Sequence, residues 1–188
     1  MIRFDLVRCP FCCRIMPSEG LYGLDIPCPI CSKSGEFRID WPSGNVKRMF
    51  MQIDELDINN SNNWSITVVL TCSFLDLLLN QLLTIVLHYH KASPLISEYI
   101  RLKSKNQMFE AIKKLSGNFS INKSLKDNGF QEFVGSWKKL VSERNNFIHH
   151  GIPVSSECLK YIEDVRINVY DAFKTLNNNL LDHLDKID

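Results

Sequence analysis

Four cysteines near the start of the chain are spelled Cys9-Pro-Phe-Cys12 and Cys28-Pro-Ile-Cys31, with fifteen residues between the pairs. Two residues between cysteines let one tight turn offer two sulfurs, and the proline in each pair presets φ for that turn. Two such pairs supply the four soft ligands of a closed zinc tetrahedron. Four thiolates leave no open position for water, so the expected role of the metal is structural. Cys13 is a fifth thiol beside Cys12; Cys12 is the expected ligand because it keeps the two-residue spacing. A second set of groups lies far downstream, in Arg144-Asn-Asn-Phe-Ile-His149. A guanidinium cannot lose its charge, so a buried one must meet a carboxylate, a phosphate or carbonyls. An imidazole exchanges protons near neutral pH.

Positioning these groups requires two kinds of structure. Residues 1–45 are rich in Gly, Pro and Cys, with short alternating pieces such as Glu36-Phe-Arg-Ile-Asp-Trp41 that read as small strands around turns. So short a segment lacks apolar surface for its own core, and a metal would supply its folding energy. From Val46 onward the pattern is helical. Met49, Phe50, Ile53 and Leu56 open a first helix, and Asn59–Asn63 break it. Residues 64–90 form a second helix. Ser93-Pro94 offers an N-cap and a first-turn proline for a third, which runs to about Leu115 with a break near Ser104 and stops at Gly117. A short helix at 121–128 ends at Gly129, and another runs from Gln131 to His150, with Gly151 and Pro153 beyond. The last is the most regular, with Leu159, Ile162, Val165, Val169, Phe173, Leu176, Leu180 and Leu184 at three-four spacing. The expected fold is mainly α: a small N-terminal β module at 1–45 and an all-helical domain at 46–188.

On a helical wheel of 131–150, Phe133, Val134, Trp137, Leu140, Val141, Phe147 and Ile148 share one arc, with Arg144 at its centre. Asn145 and His149 share the neighbouring edge. One reading pairs Arg144 with Asp76 as a structural contact, the histidines only interacting with the helix C-terminus. Another has the guanidinium meet a phosphate or several carbonyls instead. His88 and His90, taken with His149 or His150, do not make an expected metal site, since unligated histidines at helix ends are common.

Over about residues 5–41 the paired cysteines resemble the zinc ribbon family. Over about residues 46–186 the chain resembles the HEPN superfamily, whose motif is Arg, four to six residues, then His, with a polar residue favoured directly after the Arg. Arg144, Asn145 and His149 match it, and Arg144 with His150 also fits. Ser73-Phe-Leu-Asp76-Leu-Leu-Leu resembles the early HEPN helix that often carries an acidic residue facing the motif. The resemblance implies a HEPN-like helical bundle behind a zinc ribbon. It also implies a metal-independent endoribonuclease working as a homodimer, as many toxins and antiviral effectors do. Arg144, Asn145 and His149 would act on RNA, with Asp76 supporting them. The alternative it leaves is a non-catalytic HEPN-like dimerisation or RNA-binding scaffold with a zinc-ribbon adaptor. A Tyr two residues after the His is common in toxins paired with a nucleotidyltransferase antitoxin; Gly151 stands there, so adenylylation at that site is not expected.

Composition narrows the partners. Across 188 residues, 22 Lys and Arg stand against 21 Asp and Glu, which excludes a strongly basic nucleic-acid coat and an acidic disordered tail. Residues 91–151 nevertheless carry eleven basic against five acidic side chains, a modest footprint for a polyanion. Solvated lysine faces such as Lys113-Lys114 and Lys138-Lys139 account for it equally well. Five of seven cysteines fall in the first 31 residues, which argues against a secreted disulfide framework. Met1-Ile-Arg-Phe-Asp leads into no apolar run, so no signal peptide is expected and the cytoplasm is the expected compartment. Ile66–Leu87 is long enough to cross a bilayer, yet seven of its 22 residues are polar. Asp76 at its centre would cost about 2.5–3.5 kcal/mol there. Ser73, Asp76, Asn80 and Thr84 instead form one polar stripe on a helix otherwise buried, and no membrane partner is expected.

Overall fold

The computed structural model describes residues 6–18, 21, 25–37, 41–92 and 105–187. Two antiparallel hairpins come first. Strand β1 (Leu6–Arg8) pairs with β2 (Ile15–Pro17), Val7 opposite Met16, and β3 (Asp25–Pro27) pairs with β4 (Ser34–Glu36), Ile26 opposite Gly35. Each hairpin turns through one Cys-Pro-x-Cys segment. Helices follow: α1 (Gly44–Glu55), α2 (Trp64–Tyr89), α3 (Lys105–Leu115), α4 (Ile121–Asp127), α5 (Gln131–His150) and α6 (Cys158–Leu184). Among the described residues the protein is therefore mainly helical, with two small two-stranded sheets at the N-terminal side. The Ser93-Pro94 helix start, the break near Ser104 and positions 38–40 of the expected last strand lie outside the described residues.

Helix α2 is the axis of the bundle. It touches α1, α3, α5 and α6, while α6 packs on α5, α4, α2 and strand β2. Leu75, Leu78, Leu79, Leu82 and Leu83 of α2 are enclosed, as are Ile162, Val165, Val169, Phe173, Leu176, Leu180 and Leu184 of α6. The three-four spacing of these residues puts them on the core side of their helices. Phe50 of α1 closes one end, 4.8 Å from Phe74 and 5.3 Å from Tyr170 between ring centres. Trp137 of α5 lies 5.6 Å from Phe173 on the other side. Cys72 and Cys158 are buried in this core. Burial pushes the Cys158 thiol up to about 11, which keeps it an uncharged core residue.

The stretch Ser61–Tyr89 is long and apolar enough to cross a membrane, but 56% of its apolar window is buried inside the protein. Its polar stripe faces the less buried side. Ser73 donates to Val69 O at 2.9 Å and Thr84 to Asn80 O at 2.8 Å, so both hydroxyls close on the helix's own backbone.

The hairpins join the bundle through α6. Asn178 receives the Ile15 N–H and donates to the Ile15 carbonyl, both at 2.9 Å, so its amide acts as one more strand residue beside β2. Asn177 donates to Cys13 O at 3.3 Å, and Asn179 to Ser124 Oγ at 3.0 Å. Arg14 reaches Asp182 at 2.7 Å and Asp185 at 2.6 Å. Leu6, Ile15 and Trp41 complete the contact inside the main core. The Asn178→Ala protein is expected to lose about 1–3 kcal/mol, since it strands both backbone groups of Ile15. Arg14→Ala, whose carboxylate partners are half exposed, should lose less. Denaturant unfolding of both variants measures the difference.

Candidate functional site

The Cys-Pro-x-Cys turns are two copies of one loop. Cys9 N–H donates to Arg14 O and Cys28 N–H to Lys33 O, both at 3.0 Å. The residue after each pair folds back, Cys13 N–H onto Cys9 O at 3.0 Å and Ser32 N–H onto Cys28 O at 2.8 Å. That return forces φ of +58° at Cys13 and +60° at Ser32, a left-handed conformation unfavourable for side-chain-bearing residues. Inside the turns, backbone N–H groups point at sulfur: Phe11 and Cys12 toward Cys9 Sγ at 3.4 and 3.5 Å, and Ile30 toward Cys28 Sγ at 3.4 Å. Burial raises the Cys9 thiol, and the Phe11 and Cys12 backbone donors partly offset that rise. The loops meet where Phe11 covers Gly35; a Cβ there would lie 2.6 Å from the ring and displace it.

The result is a cluster in which the sulfurs of Cys9, Cys12, Cys28 and Cys31 all lie within 4.8 Å of one another, Cys9 and Cys31 at 3.9 Å. A tetrahedron with metal–sulfur bonds of about 2.3 Å needs sulfurs about 3.8 Å apart. Donor type, number and spacing thus fit a closed four-thiolate metal site. Burial pushes the Cys12 thiol up to about 12, whereas the Lys33 backbone draws that of Cys31 down to about 7. A cation among the four would displace the protons that burial retains. Cys13 stands at the left-handed position and is not one of the four. A small apolar cluster of Val7, Met16 and Phe37 surrounds Cys9 and Cys28.

The second set of residues sits on α2 and α5. Phe133, Val134, Trp137 and Leu140 of α5 are buried, but the C-terminal part of the helix emerges from the bundle, and Ile148 is 53% exposed. The apolar arc read from the wheel therefore ends short of Ile148, and Arg144 lies at the margin of the core rather than inside it. Its Nη1 donates to Asp76 Oδ2 of α2 at 3.1 Å, with the two side chains 21% and 27% exposed. Its Nε and Nη2 approach Asn145 Oδ1 at 3.4 and 3.3 Å. Of the five N–H donors of a guanidinium, these contacts leave two free. Asp76 Oδ1 is buried with no hydrogen-bond partner among the described residues, so the carboxylate is committed to the arginine on one side only.

Helix α5 ends in a left-handed glycine. Gly151, at φ +65°, donates to Phe147 O at 3.0 Å, and Ile152 N–H reaches Asn146 O at 3.3 Å. This stop leaves His149 and His150 exposed in the last turn, ring centres 6.5 Å apart. Among the described residues no hydrogen bond joins His149 to Arg144 or Asn145. Five residues of helix separate His149 from Arg144, about 140° around the axis. The fold gathers Asp76, Arg144 and Asn145, and places His149 on the adjoining open surface. His88 and His90 join neither His149 nor His150 in a metal-sized cluster among the described residues.

Two features escaped the sequence reading. The asparagine run 177–179 lies inside a long helix, where asparagine is a poor helix former; that was a signal for side chains with tertiary partners. The other, a cleft beside Trp137, gave none, because its walls come from three helices.

Comparison with known proteins gives no relative: no family model matches the chain, and no curated protein or solved structure is significantly similar to it.

Proposed function

We propose that the protein is a metal-independent endoribonuclease of HEPN type, a toxin or anti-phage effector, acting as a cytoplasmic homodimer with a zinc ribbon at its N-terminal side. The observation that carries this reading is the Asp76–Arg144–Asn145 group, 3.1 Å from carboxylate to guanidinium, one helical turn before an exposed histidine. Asp76 fixes the orientation of the guanidinium, and the two remaining N–H donors bind the scissile phosphate. Asn145 orients the phosphate or His149. His149 exchanges the protons: the RNA 2′-hydroxyl loses its proton to an imidazole as 2′-O–P forms, and the P–O5′ bond breaks as an imidazolium protonates the departing 5′-oxygen. The products are a 2′,3′-cyclic phosphate and a 5′-hydroxyl. Because His149 and Arg144 point apart within one chain, two copies facing each other would supply one cleft with both pairs.

Cys9, Cys12, Cys28 and Cys31 would hold Zn²⁺ as a structural ion, with the ribbon open to a further protein or nucleic-acid partner. The direct test incubates purified protein with RNA and with DNA in excess EDTA. RNA alone should be cut, and the 3′ ends should carry a cyclic phosphate. Light scattering at micromolar concentration should give a dimer; a monomer with activity intact contradicts the two-copy site.

One observation favours a second reading. Arg144 already has a carboxylate partner, and His149 has none among the described residues. A non-catalytic HEPN-like scaffold that dimerises or holds RNA would show the same contacts, and it predicts RNA binding with no product.

A further inference from the structure

A cleft of 480 Å³ opens between α3, α4 and α5, away from the Asp76–Arg144 pair. Its floor is aromatic and aliphatic. Phe109 lies 5.6 Å from Trp137 between ring centres, and Val141 extends the surface along α5. Phe109 and Val141 are only half-buried. Two exposed lysines, Lys113 of α3 and Lys138 of α5, line it from different helices, and Asn122 adds an amide at the start of α4. Glu110 is the one acidic side chain among these lining residues.

From Lys138 at the cleft's edge, a polar strip on α5 leads toward the candidate site. Around α5, Lys138, Asn145 and His149 fall within about 40° of one another, so they make one strip along the helix. Lys138 precedes His149 by about 16 Å along the axis. About five stacked nucleotides, at about 3.4 Å each, cover that distance. A half-buried phenylalanine ring in a cleft that also carries two exposed lysines matches a nucleobase with its flanking phosphates. An acidic peptide would meet the lysines but leave the aromatic floor without a flat partner.

We infer that this cleft is a nucleobase subsite for single-stranded RNA, the base resting against Phe109 and Val141 and the adjoining phosphates meeting Lys113 and Lys138. The inference rests on the RNA reading above, but binding is measurable without cleavage. In a His149→Ala background, anisotropy of a labelled single-stranded RNA of about eight nucleotides compares the parent with a Lys113→Glu/Lys138→Glu protein. The double variant should bind at least about 10-fold more weakly, with a log K against log salt slope smaller by about 1.4. Both substitutions are on exposed positions, so folding is preserved. Phe109→Ala should weaken binding without changing the salt slope, since stacking releases no counterions. Equal affinity in parent and double variant overturns the subsite. So does displacement of the RNA by polyglutamate at matched charge. Weakened binding in the double variant, together with no cleavage by wild-type protein, sinks the ribonuclease reading and leaves the subsite standing.

Discussion

A Cys9→Ser protein is expected to lose its zinc and the order of both hairpins, while Cys13→Ser keeps both. Cys9 is buried, accepts two backbone N–H groups on sulfur, and lies 3.9 Å from Cys31 across the cluster. Without its thiolate the left-handed turn at Cys13 has no metal to hold it, and such residues cost about 1–3 kcal/mol each. Structural zinc supplies about 10–16 kcal/mol in small metal-folded units, more than Val7, Met16 and Phe37 supply together by burial at about 1.5–3 kcal/mol each. The damage should spread to the helices, because Leu6, Ile15 and Trp41 belong to the main core and Asn177 and Asn178 bond the same segment. Elemental analysis should find about one zinc per chain in wild type. Limited proteolysis should then cut Cys9→Ser within the hairpins first, with a lowered unfolding temperature for the rest. Acid should release the metal, since protons compete for all four sulfurs. Full zinc content and an unchanged melting curve in Cys9→Ser contradict the four-cysteine site.

The cysteine cluster was legible because its chemistry is local: two residues between ligands define a turn, and the turn defines where sulfur points. The long helices were legible for a similar reason. Leu159 to Leu184 repeats at three-four spacing, and Gly151 marks the end of α5 at the residue where the left-handed cap occurs. The reach of the core along α5 was not legible. A helical wheel assumes the whole helix lies against one surface, whereas Ile148 and His149 run past it. The asparagine clasp on β2 is likewise tertiary, since nothing near Ile15 in sequence announces a partner 163 residues away. Asp76 and Arg144 lie between these cases. Each was recognisable alone, as a charge on an apolar helix, and burying either unpaired would be unfavourable. Each charge therefore needs a partner, and the packing of α2 on α5 supplies it.

Arg144→Ala is expected to lower RNA cleavage by at least about 10²-fold, a loss of about 2.7 kcal/mol of transition-state stabilisation, with zinc content unchanged. His149→Ala should do the same. The two substitutions should differ in stability. Removing Arg144 strips Asp76 of the only cation paired with it among the described residues, where Asp76 Oδ1 already lies buried without a partner. With the pair about a quarter exposed, that cost falls between the ~0–1 kcal/mol of a surface pair and the ~3–5 kcal/mol of a buried one. His149 is exposed and has no hydrogen-bond partner among the described residues, so its loss should leave stability unchanged. Asp76→Asn separates positioning from charge: it keeps a hydrogen-bond acceptor for Nη1 but no longer anchors the guanidinium by charge, so activity should fall less than in Arg144→Ala. Arg144→Lys should recover folding but little activity, because an ammonium cannot bond Asp76, Asn145 and a phosphate from one planar fork. Undiminished cleavage in Arg144→Ala, or cleavage stopped by chelating free magnesium alone, would sink the mechanism. Arg144 would then be a structural partner of Asp76, holding α5 to α2 at the edge of the core.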